Sequence, residues 1–188
     1  MPRLIAFLRA INVGGHHVTM KELRGLFDAL GFKEVDTFIA SGNVIFTSRS
    51  KGIQILQQRI EDRLRTSLGY EVKAFIRTEA EVAAIACYQP FKESQLRCAE
   101  ALNVGFLAEP LGAAATKALM ALKTDIDDFH VHGREVYWLC KRRQSESTFS
   151  NALLERTLHV RSTFRGVSTV SRLAAQYAFS PVSGRVDG

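Results

Sequence analysis

Apolar residues fall along this chain in short runs and helical stripes that alternate. Leu4 to Leu8 is a continuous apolar run, the mark of a strand buried on both faces. A polar, glycine-bearing loop from Ala10 to Val18 follows it. Thr19-x-x-Glu22 then makes a capping box, and Met20, Leu23, Leu26 or Phe27, and Leu30 share one helix face before Gly31 stops it. Val35, Thr37 and Ile39 alternate with Asp36 and Phe38, which predicts a strand with one wetter face. Ser41-Gly42-Asn43 reads as a turn, and Val44-Ile45-Phe46 as another buried strand. Ile53, Leu56, Ile60 and Leu64 mark a second helix closed by Gly69, and Glu71 to Ile76 a fourth strand. The order is βαββαβ.

Thr78-x-x-Glu81 caps a third helix carrying Val82 and Ile85, and the stretch from Tyr88 to Glu100, with Pro90, reads as a connection. The order then recurs. Leu102, Val104 and Phe106 form a strand, and the alanine-rich segment from Ala113 to Leu122 a helix. Phe129 and Val131, a Gly133-Arg134 turn, then Val136 and Trp138 form a hairpin. Phe149, Leu153 and Leu158 predict a helix, Arg161 to Arg165 a short strand, and Val167, Val170, Leu173 and Tyr177 a closing helix.

The fold class predicted is α+β: two ferredoxin-like (split βαβ) units with antiparallel sheets. The first unit spans 1–77, a linker helix and loop 78–100, the second unit 101–178 and a flexible tail 179–188. In the first unit the first and third strands are apolar on both sides, as central strands are, and the second and fourth alternate. The predicted sheet order is therefore 4-1-3-2.

In a split βαβ the first two strands run parallel through the crossover helix. The end of strand one and the turn after strand two then share a sheet end. That gathers Arg9, Asn12, Gly14, Gly15, His16 and His17 with Ser41, Gly42 and Asn43. Glycine backbone N–H groups, the helix start at Thr19 and the fixed charge of Arg9 together suit a phosphate or carboxylate. The candidate ligand-binding residues are thus Arg9, Asn12, Gly14, Gly15, Ser41, Gly42 and Asn43. A Gly-Gly pair between strand and helix is also an ordinary turn. An enzyme could use the same pocket, with Arg9 as clamp, Asn12 or Asn43 orienting, and His16 or His17 moving a proton. Neither nucleotide-loop fingerprint is present, so no cofactor is implied.

These residues also carry a resemblance. The run Leu8-Arg9-Ala10-Ile11-Asn12-Val13-Gly14-Gly15, then Met20 and Leu23, then Phe38-Ile39-Ala40-Ser41-Gly42-Asn43-Val44-Ile45-Phe46, resembles the bacterial domain-of-unknown-function 1697 family. Similarity extends more loosely over about residues 3 to 177. The family's C-terminal pattern, Thr-x-Arg-Asn, an aromatic residue, x, Thr, is met here at Thr163, Arg165 and Thr169, with Gly166 and Val167 at the Asn and aromatic positions. The resemblance implies a pair of ferredoxin-like α+β units and brings no activity, substrate or cofactor with it.

Charge changes the picture more than composition does. With 46% apolar and 23% charged residues, the chain has the balance of an ordinary soluble globule. No apolar run reaches the ~18 residues of a membrane span. The whole net charge of +6 lies between Lys141 and Val186, where eight basic residues face two acidic ones. Such an excess is what phosphate-backbone binding needs, and Arg142, Arg143, Arg165 and Arg172 are the candidate nucleic-acid contacts. A solvated basic face is the alternative. Stacking aromatics are few, so sequence-specific RNA reading is not expected. Cys87, Cys98 and Cys140 form no C-x-x-C and are read as reduced thiols. The apolar segment after Met1-Pro2-Arg3 is too short for a secretory signal, so the chain is read as cytoplasmic. His130 and His132 share a strand face, where Glu135 would pair with His132 and Tyr137 with His130. That is a His-x-His-Glu pattern, read as the wet face of a hairpin, and no metal is expected.

Overall fold

The computed structural model describes residues 1–39, 42–50 and 52–178. The predicted tail from Phe179 and the turn residue Ser41 lie outside the described residues. In chain order the elements are β1 (Arg3–Arg9), α1 (Met20–Asp28), β2 (Lys33–Thr37), β3 (Asn43–Thr47), α2 (Ile53–Leu68), β4 (Lys73–Thr78), α3 (Glu79–Cys87) and the short α4 (Glu93–Leu96). They continue with β5 (Ala101–Leu107), α5 (Ala113–Met120), β6 (Asp127–His132), β7 (Glu135–Cys140), α6 (Asn151–Leu158), β8 (Ser162–Gly166) and α7 (Val167–Leu173), which runs on as a π turn (Ala174–Ala178).

Local sequence accounts for the helix starts. Thr19 and Thr78 each accept from the backbone N–H three residues on, while Glu22 and Glu81 reach back to the cap backbone. The strands form two four-stranded antiparallel sheets, ordered β2-β3-β1-β4 and β6-β7-β5-β8. The first has the predicted 4-1-3-2 order, with first and third strands central, and the second repeats it.

Alternation along β1 explains why its run is apolar throughout. Leu4, Ala6 and Leu8 pack with α1 and α2, through residues such as Leu23, Phe27, Leu56 and Ile60. Ile5 and Phe7 point to the opposite face, which no helix of the crossover covers. That face meets the second sheet. Ile5, Phe7, Ile45 and Phe75 share one core with Val104, Phe106, Tyr137 and Leu139, and Val82, Ile85, Val170 and Leu173 close it at the sides. At its centre Phe7 and Phe106 stack with ring centroids 3.9 Å apart. The α5 and α6 helices cover the outer face of the second sheet, over Leu107, Phe129 and Trp138, with Phe149 from the segment before α6 packed among them.

Strand register shows that the two halves are related by a pseudo-twofold. Phe7 is opposite Asn43 in β3, as Phe106 is opposite Glu135 in β7. Ile5 is opposite Arg77 in β4, as Val104 is opposite Arg165 in β8. Arg77 and Arg165 are therefore counterparts, and each crosses into the other half. Arg77 donates through Nε to Glu135 Oε1 (2.7 Å) and through Nη2 to the Leu107 carbonyl (2.8 Å). Arg165 donates through Nε to Asn43 Oδ1 (2.7 Å) and through Nη2 to the Leu8 carbonyl (2.9 Å). Each guanidinium also lies over one ring of the central stack, Arg77 over Phe106 and Arg165 over Phe7. Both side chains are buried. Burial lowers Arg165 to about 10, which leaves it charged at neutral pH.

Candidate functional site

Arg9 and Asn43 do come to one sheet end, Arg9 two residues beyond the Phe7–Asn43 pair. Both are engaged by the second half of the chain. Arg9 donates through Nε and Nη2 to the two carboxylate oxygens of Glu155, at 2.6 Å each. Glu155 is buried and also accepts from the Ser162 N–H, with Arg161 3.5 Å away. Asn43 is fully buried, its Nδ2 donating to the Phe38 carbonyl while its Oδ1 receives Arg165. Asn12 accepts from the Val18 N–H and so braces its own loop. Tyr70 donates to the Ile11 carbonyl at 2.6 Å, and His16 stacks on the Tyr70 ring. Gly14 and Gly15 are exposed at the loop tip.

Gly42 has a steric reason to be glycine. Its φ is +77°, its carbonyl accepts from the Leu8 N–H, and a Cβ there would stand 2.7 Å from Ile11 Cγ2. Gly42→Ala is expected to cost about 1–3 kcal/mol by overpacking, read as a lower urea midpoint. An unchanged midpoint would mean that the loop yields freely.

Beside this end lies a cleft of about 390 Å³ between α2, β4 and the loop that follows β5. Lys73, the β4 partner of Arg9, stands at its edge. Phe75, Leu107, Leu111, Ala115 and Val160 make its apolar wall, and Glu61, Lys73, Glu109 and Arg161 are its charged groups. Glu61 is buried and accepts from Lys73 Nζ and the Ala74 N–H, each at 3.0 Å. The hydrogen bonds to Glu61 and Glu71 hold Lys73 above the ordinary lysine range. Arg161 lines the cleft with a side chain 59% exposed. Nothing in the sequence pattern singled out this cleft. Its one local signal was the Pro110–Gly112 loop, and its walls come from both halves.

The model of a family described as a protein of unknown function (DUF1697) matches residues 1–137. The chain belongs to this family. Its fold is also that of a conserved bacterial protein, SP0830 from Streptococcus pneumoniae, at a TM-score of 0.73 and 22% identity over 93% of this chain and 97% of that one. No curated protein sequence matches the chain. The DUF1697 match takes in the braced loop, the Gly42-Asn43 turn and Arg77, and ends before the basic stretch.

In this DUF1697 member the basic residues of that stretch do not all face solvent. Arg142 and Arg143 are exposed just beyond β7. Arg165 is buried, so its guanidinium is not offered to a phosphate backbone, a correction to the sequence reading. Arg172 lies over the Phe38 ring, 5.7 Å from its centroid. Among the described residues no helix is long and apolar enough to cross a membrane.

The hairpin face carrying His130 and His132 also needs correction. The pairings are as expected, His130 with Tyr137 and His132 with Glu135. The face is wet only at its tip, where His132 is exposed, because α3 and Tyr88 pack over the rest. The Tyr88 hydroxyl meets His130 Nε2 at 2.8 Å and its ring stacks on His132, while Glu135 and Tyr137 are buried. Among the described residues no three His, Cys, Asp or Glu side chains gather to hold a metal.

Glu81, at the start of α3, caps Thr78 and pairs with Arg134. Burial pushes its carboxyl up, but the Thr78 and Arg134 hydrogen bonds outweigh this and hold it below the ordinary range. A carboxyl depressed on folding adds stability above its unfolded pKa and loses it as pH falls through its folded pKa. Glu81→Gln should therefore flatten the loss of urea stability below about pH 5. Parallel curves for the two proteins would show that Glu81 is not titrating in this window.

Proposed function

We propose that this protein is a small-molecule binding module whose ligand has an apolar body and one acidic head. The observation that carries this reading is the cleft at the junction of the halves, with its apolar wall and the largely exposed side chain of Arg161. Pockets of this size and lining take small ligands by apolar burial, with one or two polar groups fixing orientation. The acidic head is drawn to Arg161, which Glu155 approaches only to 3.5 Å, with Lys73 second because Glu61 and Glu71 hold it at 3.0 and 3.1 Å. This keeps an anionic ligand but moves it from the Gly14-Gly15 loop to the neighbouring cleft. Arg9 then acts indirectly, by fixing Glu155 and through it the position of Arg161.

Octanoate is the test ligand, followed by isothermal titration. Ala108 is an exposed lining residue, so Ala108→Trp fills the cleft without touching either core. It should weaken octanoate at least ~10-fold, and Arg161→Ala a few-fold, the worth of a partly screened charge. Octanol-like neutral probes should lose nothing in Arg161→Ala. No octanoate binding, or binding indifferent to Ala108→Trp, would end the reading.

A further inference from the structure

A second cavity, of about 210 Å³, lies under α3 at the opposite pseudo-equivalent end, and Tyr137 lines it together with Tyr88, His132, Gly133, Glu81 and Glu135. Tyr137 is 0% exposed, and its hydroxyl has no hydrogen-bond partner among the described residues. A buried hydroxyl without a partner is costly, by roughly 1–3 kcal/mol, and needs a reason. Packing does not supply one. The pseudo-twofold that pairs Asn43 with Glu135 pairs Ile45 with Tyr137, two residues further on. At the first end an isoleucine, 1% exposed, fills the same place in the shared core. The second end carries a hydroxyl where the fold is satisfied by a hydrocarbon.

The groups around that hydroxyl are acceptor-rich. Arg77 takes Oε1 of Glu135, while Oε2 accepts no hydrogen bond among the described residues and lies 3.4 Å from the place a Gly133 Cβ would occupy. Glycine at this turn thus leaves open the approach to the free carboxylate oxygen. Tyr88 presents its ring 5.4 Å from that of Tyr137, centroid to centroid. Burial and the Glu135 charge push the Tyr137 ionisation well above the ordinary tyrosine value, so the hydroxyl keeps its proton and can accept at its lone pairs.

We infer that this cavity is a binding site for the primary ammonium group of a small amine. The ammonium N–H groups donate to Tyr137 Oη and Glu135 Oε2, and the cation sits against the Tyr88 ring. An anion would meet the free carboxylate oxygen, and Arg77 and Arg134 are already engaged by Glu135 and Glu81. The small volume restricts the site to a compact amine, or to the amino end of a longer one.

The probe is methylammonium chloride, with sodium chloride at equal ionic strength and sodium acetate as controls, read by isothermal titration and by thermal midpoint on the full chain. Methylammonium should bind saturably and raise the midpoint, and neither control should. Tyr137→Phe keeps the ring and removes only the hydroxyl. Without amine it should fold with an equal or higher midpoint, because no partner is lost. It should also weaken methylammonium at least ~10-fold, the size expected for a hydrogen bond to a charged group. Absence of saturable methylammonium binding would overturn the inference, as would acetate binding in its place or a Tyr137→Phe protein that binds as the parent does. A lower midpoint for Tyr137→Phe without amine would also overturn it, by showing that the hydroxyl has a structural partner.

Discussion

Glu135→Leu is expected to lower the free energy of unfolding by about 3–5 kcal/mol, the cost of leaving a buried charge without its counter-ion. The charge is that of Arg77, which is 1% exposed and donates 2.7 Å to Glu135. Its other acceptors, the Leu107, Arg134 and Ile76 carbonyls, are neutral dipoles and do not replace a carboxylate. For a chain of this length the thermal midpoint should fall by roughly 6–20 °C. Replacing both partners by apolar residues, Arg77→Met with Glu135→Leu, should restore much of the loss, because the uncompensated charge is then gone. Thermal and urea unfolding of the two variants measure this directly. A double variant as unstable as the single would show that Glu135 matters for something other than balancing Arg77.

Arg165→Met should cost about 2–6 kcal/mol. The change leaves two buried acceptors, Asn43 Oδ1 and the Leu8 carbonyl, without this donor, at about 1–3 kcal/mol each. Both lie in the first half of the chain and the arginine in the second, so the loss falls on the contact between the sheets. Adding Asn43→Leu to Arg165→Met should cost less than the sum of the separate changes, because the amide oxygen that Arg165 serves is removed with its donor. Strict additivity in urea unfolding would mean that the two side chains are not coupled. Asn43 and Arg165 together fill the sheet end at which the glycine loop and Arg9 suggest an anion site.

Much of the fold was legible along the chain. The two Thr-x-x-Glu capping boxes placed the starts of α1 and α3, Gly69 the end of α2, and the double-sided apolar runs the central position of β1 and β3. The shared position of Arg9 and Asn43 followed from the handed crossover alone. What their side chains do there did not follow, because Glu155 and Arg165 arrive from residues 146 and 122 positions away.

Local patterning, then, determined which segments are helices and strands, their capping, and the order of strands within the first sheet. These depend on interactions a few residues apart or on how one face is buried. Only the tertiary structure decided what the inner faces of the two sheets meet. Arg77 lies beyond the apolar run from which the fourth strand was read, and Arg165 is one cation of a basic stretch. Each is at the centre of the contact because the pseudo-twofold sets it against the first and third strands of the other half. Tyr137 likewise reads as the wet side of a hairpin until α3 packs over it. Burial and partnership of a polar group depend on what is brought across from the other half of the chain, and the alternation of residues within one strand carries no record of that.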